Sequence, residues 1–190
     1  TNGIKKELKF SNETIRILTP QNGIIQKERF LEILKPNTKN WIIIASSNEV
    51  IVSDVVNSLI SLPSETKVTV FTFDKGSVYD KIDNLKLGKI GFTYVSEEFV
   101  DETSESSRSF TKLYQEKNNT LPSFYATKGF DITYDILVRL SSGKRLQATF
   151  KEGATSRVDT KFDYKNNEIF ENEGVFILQI NSDLTISRLK

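Results

Sequence analysis

The sequence has 190 residues, with 26 Lys and Arg against 25 Asp and Glu, and a formal net charge of +1. It contains no Cys and no His, which excludes disulfides, Ser-His-Asp and Cys-His catalysis, and zinc sites built from Cys or His. The balanced charge does not favour nucleic acid as a partner, and no apolar run reaches the roughly 18 residues of a membrane span. We therefore expect a globular protein without a metal or a cofactor.

The first half of the chain alternates between strand-like and helix-like segments. Apolar or alternating runs predict strands at 14–18, 41–45, 67–73 and 90–95. Helices are predicted at 24–34 and from about 46 to 62, with Ser46, Ser47 and Asn48 as cap candidates, and a short helical turn at 77–82. The continuous apolar run 41–45 is typical of a strand that is covered on both faces. This order predicts an α/β fold with a parallel sheet, flanking helices and right-handed crossovers.

The second half of the chain has a different pattern. After a polar run, helices are predicted at 105–117 and 122–141, followed by a loop at 150–155. C-terminal strands are predicted at 158–164, 174–180 and 184–189, with turns at 165–167 and 181–183. The domain organisation that we infer is an α/β lobe at 1–100, a helical return segment at 101–153, and C-terminal strands at 154–190 that complete the α/β lobe.

Polar and aromatic side chains follow two of the predicted strands. Ser46 and Ser47 separate a strand from a helix, and Phe73 and Asp74 close the next strand. In open α/β sheets, ligands bind outside the carboxyl ends of the strands. The hydroxyls would suit a carboxylate or phosphate oxygen, and an aromatic ring with a carboxylate would suit an ammonium group. Helix capping, a core Phe and a turn Asp are the simpler alternatives, and Tyr125 is a candidate cleft aromatic with ordinary packing as its alternative.

The second helix of the later half carries two carboxylates and several aromatic residues. Asp131 and Asp135 are four residues apart and share one helix face, so they could bind a metal or act as acid and base. No third ligand lies near them in the sequence, and we favour a structural role. Gly129 is expected to permit close helix packing. The residues expected in the core of this helix, at i, i+4 and i+7, are Phe130, Tyr134 and Leu137.

One stretch of this chain resembles a known family. Residues 122–137 read P-S-F-Y-A-T-K-G-F-D-I-T-Y-D-I-L, and with Phe110 and Tyr114 upstream they give the pattern F-x-x-x-Y…P…Y-A-x-x-G-F-D. This pattern resembles the return segment of type I periplasmic binding proteins. Further segments are similar to strands and loops of that family, at 40–47, 68–73 and 161–164. The look-alikes are bacterial envelope proteins, some of them joined to LysM modules.

The resemblance implies a partial periplasmic binding protein-like I fold. Members of the family hold a ligand between two α/β lobes that are joined by hinge crossings. Residues 13–95 resemble second-lobe material, whereas 105–150 resemble helices that return to a first lobe. The sheet of that first lobe is largely missing from this chain, so we expect the N-terminal lobe in an upstream part of the parent chain.

The resemblance also implies a function. We expect a non-enzymatic protein of the bacterial periplasm or cell envelope, similar to ABC-transporter substrate-binding proteins, that binds a small polar solute or a peptidoglycan fragment. Its candidate ligand contacts are Ser46, Ser47, Phe73, Asp74 and Tyr125. The alternative is an interaction scaffold, associated with LysM modules, that binds no small ligand and forms a homodimer through its helices. A hydrolase is the weakest option, because Gly-x-Ser-x-Gly, Walker and Gly-x-Gly-x-x-Gly motifs are absent.

Overall fold

The computed structural model of the protein describes residues 15–164 and 171–189. The helices are α1 (Lys27–Leu31), α2 (Glu49–Ile60), α3 (Asn84–Lys89), α4 (Glu105–Asn118), α5 (Phe124–Leu140) and α6 (Leu146–Thr149), with 3₁₀ turns at Tyr79–Lys81 and Phe150–Glu152. The strands are β1 (Asn40–Ile43), β2 (Val68–Thr72), β3 (Thr93–Ser96), β4 (Thr155–Ser156), β5 (Lys161–Phe162), β6 (Phe176–Ile180) and β7 (Ile186–Arg188). The described chain forms two compact units, one comprising the residues up to Val95 with Ile177–Leu189, the other Ser96–Phe176. The boundaries at 100 and 153 inferred from the sequence stay a prediction.

The first unit is built on a five-stranded sheet with the strand order β1-β2-β3-β6-β7. β1, β2 and β3 are parallel, with Asn40 paired to Val68 and Phe71 paired to Thr93. β6 lies beside β3 and forms an antiparallel hairpin with β7. The predicted fold class is therefore confirmed: the chain has an α/β fold with a mostly parallel sheet, flanking helices and C-terminal strands.

Helix α2 supplies a large part of the apolar core of this unit. Its buried residues, spaced by one, three and four, are Val52, Val55, Val56 and Leu59. The helix begins after Asn48, whose side chain accepts hydrogen bonds from the backbone N–H groups of Val50 (3.0 Å) and Ile51 (3.1 Å). Of the three cap candidates, Asn48 is thus the residue that satisfies the first free amides of the helix.

Several boundaries predicted from the sequence are wrong. Residues 15–18 form no strand, because β1 is the outermost strand of the sheet and no described residue pairs beyond it. The helix expected at 24–34 is confined to α1. The strand expected at 90–95 is shortened to β3, since α3 and the turn at Gly91, which adopts φ +55°, occupy the preceding residues. Thr14 and the turn expected at 165–167 lie outside the described residues.

Strand β1 is open on one face, which contradicts the expectation that 41–45 is covered on both. The side chain of Trp41 is 58% exposed and that of Ile43 is 38% exposed, whereas Ile42 is half-buried and Ile44 is buried. Exposed and covered residues alternate along the strand, as they do where a sheet has cover on one side only. Among the helices described in this unit, α1 and α3 both contact α2.

The second unit contains α4, α5, α6 and the antiparallel hairpin β4–β5. α4 begins after Ser104 and α5 begins after Ser123, and each cap hydroxyl accepts a hydrogen bond of 3.2 Å from the N–H three residues later. The helices predicted at 105–117 and 122–141 are confirmed. The strand expected at 158–164 is reduced to β5, because the preceding residues turn between β4 and β5. Within the described ranges, no helix has the length and apolarity needed to cross a membrane.

Gly88 is a position in the first unit where a helix passes very close to another backbone segment. A Cβ atom added at Gly88 would collide with the carbonyl oxygen of Asn181. We expect Gly88→Ala to lower the free energy of unfolding by about 1–3 kcal/mol, because overpacking at a backbone contact forces the segments apart. Urea denaturation followed by far-UV circular dichroism measures this change.

Gly129 provides the matched control. It lies in α5, and an added Cβ atom would meet nothing within 4 Å. Gly129→Ala is expected to raise the free energy of unfolding by about 1 kcal/mol through helix propensity alone. Equal stability of wild type and Gly88→Ala would contradict the close approach of α3 and Asn181.

Candidate functional site

Two loops leave the first unit's sheet at the same edge. Ser46 and Ser47 follow β1, and Phe73 and Asp74 follow β2. β1 and β2 run parallel, with Ile43 paired to Phe71, so the carboxyl ends of both strands point to this edge. We call Ser46, Ser47, Phe73 and Asp74 the edge residues. Four of the five predicted ligand contacts therefore come from neighbouring strand ends, the place where α/β sheets bind ligands.

The two serines differ in how far they are already engaged. The Ser46 hydroxyl is half-buried and accepts a hydrogen bond of 3.2 Å from the backbone N–H of Asn48. The Ser47 hydroxyl is exposed and makes no hydrogen bond to a described residue. The amides of the first turn of α2 are taken by the cap, and Glu49 adds a carboxylate there that pairs with Lys81 at 2.6 Å. This loop offers a free hydroxyl at Ser47 rather than a site for an anion.

Phe73 and Asp74 are both open to solvent. The Phe73 side chain is 54% exposed, and its ring stands edge-on to the ring of Phe71 with centroids 5.1 Å apart. The Asp74 carboxylate is exposed and forms no ion pair with a described residue, while its backbone carbonyl accepts a hydrogen bond of 3.1 Å from the Thr72 hydroxyl. A supported aromatic ring beside a free carboxylate is an arrangement that can receive a cationic group with an apolar part.

A buried hydroxyl lies behind these two residues. Tyr79 is 2% exposed and its hydroxyl has no hydrogen-bond partner among the described residues. Burial raises the pKa of Tyr79, the neighbouring Thr72 hydroxyl opposes the rise, and the negative charge of Asp74 adds to it. Tyr79 is therefore a neutral phenol at physiological pH. Its ring packs against Phe92 with centroids 4.6 Å apart, which keeps it in the core.

The fifth predicted contact, Tyr125, belongs to the second unit. It lies in the first turn of α5, its side chain is 83% exposed, and its ring stands edge-on to Phe124 at 5.1 Å. The alternative that we favoured for this residue was packing of the ring with the hydroxyl in water, and the contact with Phe124 is the packing that the ring makes. Its role as a ligand contact stays a prediction.

A groove of about 610 Å³ lies at the opposite edge of the first unit's sheet, where the parallel strands begin. Lys39, Lys67 and Lys89 line it together with Gln179, and none of the three lysines forms an ion pair with a described residue. No sequence motif singled out this groove, because its lining comes from strand starts that are far apart in the chain. The edge residues do not contribute to it.

Asp131 and Asp135 are both fully buried in the second unit. The Asp131 carboxylate accepts hydrogen bonds from three consecutive backbone N–H groups in the loop between β4 and β5: Val158 (3.0 Å), Asp159 (2.8 Å) and Thr160 (2.9 Å). Burial raises the pKa of Asp131, the three N–H groups oppose the rise, and the neighbouring carboxyl group of Asp159 adds to it. This carboxylate thus fixes the hairpin loop onto α5.

Asp135 is held by two arginines. Its carboxylate accepts hydrogen bonds from Arg139 (2.7 Å), from two nitrogens of Arg157 (3.0 and 2.7 Å) and from the Thr155 hydroxyl (2.7 Å). Burial alone would raise the pKa of Asp135, but the hydrogen bonds from Arg139, Thr155 and Arg157 outweigh it and lower the pKa. All oxygens of the carboxylate are engaged, so it has no free position for a substrate or a metal.

The structural role that we favoured for the carboxylate pair therefore fits its contacts. The described residues contain no group of three or more side chains that could hold a metal ion. The partner Arg139 could have been recognised from the sequence, because it stands four residues after Asp135 on the same helix. Arg157 and the loop amides could not have been recognised as partners from the sequence, because they belong to a hairpin some twenty residues further along the chain.

Two other expectations about α5 are wrong. The side chains expected in its core are exposed: Phe130 by 39%, Tyr134 by 46% and Leu137 by 59%. Gly129 makes no close helix contact, because a Cβ atom added at this position would meet no other atom within 4 Å. The inward side of the helix is the polar stripe of Asp131 and Asp135 instead.

No family model matches this sequence, and no curated protein matches it. A solved structure that is similar to this chain is the crystal structure of an ABC transporter substrate-binding protein from Desulfitobacterium hafniense in complex with Leu, with a TM-score of 0.44 and 14% sequence identity. The similarity covers 79% of this chain and 43% of that protein, so this chain spans less than half the length of its neighbour. A similarity of this size carries no information about ligands, and the fold class rests on the sheet and helices themselves.

Asp135 gives a prediction about stability and pH. We expect Asp135→Asn to lower the free energy of unfolding at pH 7 by about 3 kcal/mol or more, because the buried guanidinium of Arg139 and the half-buried guanidinium of Arg157 lose their counter-ion. A lowered pKa means that the carboxylate stabilises the fold above its ordinary pKa near 4 and that this stabilisation is lost as the pH falls further. The difference between wild type and variant should therefore shrink in acid, as measured by urea denaturation at several pH values.

Asp80 is the control for this prediction. It is exposed and pairs with Lys75 at 3.3 Å on the surface. Asp80→Asn should change the free energy of unfolding by less than about 1 kcal/mol at any pH. A difference for Asp135→Asn that stays the same between neutral and acidic pH would contradict the assignment of the stabilisation to its ionised form.

Proposed function

We propose that this chain is a non-enzymatic binding protein of the bacterial cell envelope or periplasm. It holds a small polar solute or a peptidoglycan fragment at the carboxyl edge of β1 and β2. The observation that carries the proposal is the accessibility of three edge residues. The hydroxyl of Ser47 and the carboxylate of Asp74 are exposed and make no hydrogen bond or ion pair with a described residue, and the side chain of Phe73 is 54% exposed.

The chemistry of the edge residues favours a ligand with an ammonium group. Asp74 supplies a negative charge, and Phe73 supplies an aromatic surface against which an apolar or cationic part can pack. Ser47 can donate a hydrogen bond to a carbonyl or hydroxyl oxygen of the same ligand. Amino acids and peptide stems with a free amino group have this combination, and ABC-transporter cargo or peptidoglycan fragments are two sources of it. Tyr125 stays a further proposed contact.

The non-enzymatic part of the proposal rests on the state of the buried carboxylates. General acid–base work needs a carboxyl group that can exchange a proton with a substrate. Asp131 and Asp135 are fully buried, and their oxygens accept hydrogen bonds from the loop amides, Arg139 and Arg157. Among the edge residues, Asp74 supplies the only carboxylate, so no second carboxyl group lies there to share acid–base catalysis with it.

A second candidate function is an interaction domain that is associated with peptidoglycan-binding LysM modules and has no small ligand. The observation that favours it is the exposure of large apolar side chains on α5, among them Leu137, which is 59% exposed. The two functions use different residues. Ligand titration of Asp74 variants tests the first function, and measurement of the oligomeric state in solution tests the second.

The binding proposal predicts a defined set of perturbed residues. In a ¹⁵N NMR titration with single amino acids, glucose and a muropeptide as separate probes, we expect the amides of 46–47 and 73–75 to shift with at least one amine-containing probe. Asp74→Asn should weaken that binding by about tenfold or more, since a charge-assisted contact contributes roughly 1.5–3 kcal/mol.

Asp80→Asn is again the matched control, because it removes an exposed carboxylate of the same unit that is not an edge residue. It should leave the titration unchanged. Shifts that are absent with every probe at millimolar concentration, or that are insensitive to Asp74→Asn, would overturn the proposed site.

A further inference from the structure

The groove at the amino edge of the first unit's sheet is lined by Lys39, Lys67 and Lys89, and we call it the basic groove. Lys39 and Lys67 directly precede β1 and β2, and Asn40 pairs with Val68, so the two lysines start neighbouring strands at the same level. Lys89 precedes β3, the next strand of the sheet. Adjacent strands lie about 4.8 Å apart, so three positive charges are brought to one edge. Among the described residues, no acidic side chain lines the groove.

Two carboxylates stand next to lining residues in the sequence, but both are engaged locally. The Asp183 carboxylate accepts hydrogen bonds from the backbone N–H (3.0 Å) and the hydroxyl (2.6 Å) of Thr185. The Glu65 carboxylate accepts a hydrogen bond of 3.4 Å from the Ser64 hydroxyl. The charge of the three lysines is therefore not balanced by a carboxylate in the part of the chain that the structure describes.

Two helices end beside the basic groove, and the negative ends of their dipoles are the other candidates to balance the lysines. The last carbonyl groups are used locally: that of Leu59 accepts a hydrogen bond from the N–H of Leu62 (3.3 Å), and that of Leu87 from the N–H of Phe92 (3.0 Å). The C-terminus of a helix carries roughly −0.5 elementary charge, so α2 and α3 together contribute about one negative charge. Against three lysines, an excess of about two positive charges remains.

Two threonine hydroxyls in the lining have no protein partner. Thr66 and Thr69 are 9% and 7% exposed, so each is about nine-tenths buried. Neither hydroxyl makes a hydrogen bond to a described residue. A buried hydroxyl that lacks a partner costs free energy, so in the free protein these two groups depend on water that enters the groove. A ligand with its own hydroxyl groups could replace that water.

An amide with a fixed orientation lies beside one of these hydroxyls. The Nε2 of Gln179 donates hydrogen bonds to the carbonyl oxygen of Gly91 (3.2 Å) and to the hydroxyl of Thr93 (3.1 Å), so its Oε1 is left as a free acceptor. A Cβ atom added at Gly91 would lie 3.3 Å from this Nε2 and 3.8 Å from the Thr69 hydroxyl. Because Gly91 has no side chain, the groove stays open between Thr69 and Gln179.

We propose that the basic groove binds a small phosphate ester whose organic part carries hydroxyl groups. A phosphate monoester has about −1.5 to −2 charges at neutral pH, which equals the positive excess of the groove, and lysine ammonium groups bind phosphate as point charges. The Thr66 and Thr69 hydroxyls and the Gln179 Oε1 can bond to hydroxyl groups of the organic part. This site lies at the opposite edge of the sheet from the edge residues, so it is a second site that does not depend on the function proposed above.

The size of the basic groove distinguishes an ester from a free phosphate ion. Its volume of about 610 Å³ is within the range of roughly 300–1,000 Å³ that is usual for small-molecule sites. A phosphate ion alone would fill only a small part of it and would leave the threonine hydroxyls to water. The lining also includes apolar residues from the end of α2 and the following loop, among them Leu59 and Pro63, against which carbon atoms of the organic part can pack. The ester should therefore bind more tightly than phosphate.

A ¹⁵N NMR titration of the full chain with glucose 6-phosphate, glucose and inorganic phosphate as separate probes tests this site. With glucose 6-phosphate we expect the amides of 66–69, 88–91 and 179–182 to shift at submillimolar concentration, with a weaker response to inorganic phosphate and none to glucose. Unchanged signals with glucose 6-phosphate at millimolar concentration, or equal affinity for inorganic phosphate, would overturn the proposal. The amides of 46–47 and 73–75 report on the edge residues, so the two sites are read separately.

Two lysine variants separate the site from general charge attraction. Lys67→Gln should weaken the binding of glucose 6-phosphate by about tenfold, because a charge-assisted contact to the phosphate is lost. Lys81→Gln is the matched control: it removes the same charge from an exposed lysine of the same unit that pairs with Glu49 and does not line the groove. Its affinity should equal that of wild type. Equal weakening by both variants would show attraction to net charge and would contradict the site.

Thr69→Val tests the hydroxyl without changing the charge or the shape of the side chain. Because this hydroxyl has no partner in the described chain, its removal should not lower the free energy of unfolding, as measured by urea denaturation. The affinity for glucose 6-phosphate should nevertheless fall by about fivefold, since one hydrogen bond to the ligand is lost. An affinity equal to that of wild type would refute the role of Thr69 in the groove.

Discussion

The contacts of the two buried carboxylates of α5 determine how the second unit is arranged. Burying a carboxylate is costly, and the cost is acceptable only where hydrogen bonds and opposite charges replace water. Asp131 meets that condition with three backbone N–H groups, and Asp135 meets it with two guanidinium groups and a hydroxyl. Both sets of donors come largely from the hairpin β4–β5, so the helix has one rotational setting in which its carboxylates are satisfied. That setting turns the polar stripe inward.

The inward polar stripe has a direct consequence for the rest of the helix. When one neighbouring element covers a helix, only the residues on one side of the helix are buried. In α5 these residues include Asp131, Asp135 and Arg139, which make the buried polar contacts. The aromatic and aliphatic residues are therefore left on the outside, where Leu137 and Tyr134 are about half exposed. A buried ion pair is a weak contributor to net stability but a strong determinant of orientation. In this protein it fixes which residues of α5 face outward.

The order of helices and strands was predicted well from the sequence, but which of their side chains are buried was predicted poorly. Hydrophobic periodicity predicted β1, β2, α2, α4 and α5 close to their observed bounds. Helix starts also carry local signals, because Asn48 and Ser123 cap α2 and α5. Edge residues such as Asp74 were predicted from one rule about strand ends, which needs no knowledge of distant contacts. The exposure of Phe130 and of Trp41 could not be predicted, since it depends on which other elements cover a surface, and periodicity reports only that an apolar face exists. The partners of Asp135 from the hairpin are another case, because no local pattern links Arg157 to α5.

The edge residues and the exposed apolar side chains of α5 differ in chemistry. The edge residues combine a free carboxylate, a free hydroxyl and one aromatic ring, which is a set that can satisfy several different groups of one small polar molecule. The exposed side chains of Leu137, Val138 and Leu140 on α5 have no polar group, so a small polar solute would lose its hydration there and gain no hydrogen bond in return. Only a partner that brings a comparable apolar area gains free energy by covering it. The surroundings of Asp74 therefore meet the requirements of the small polar ligand that we propose, and the surroundings of Leu137 do not.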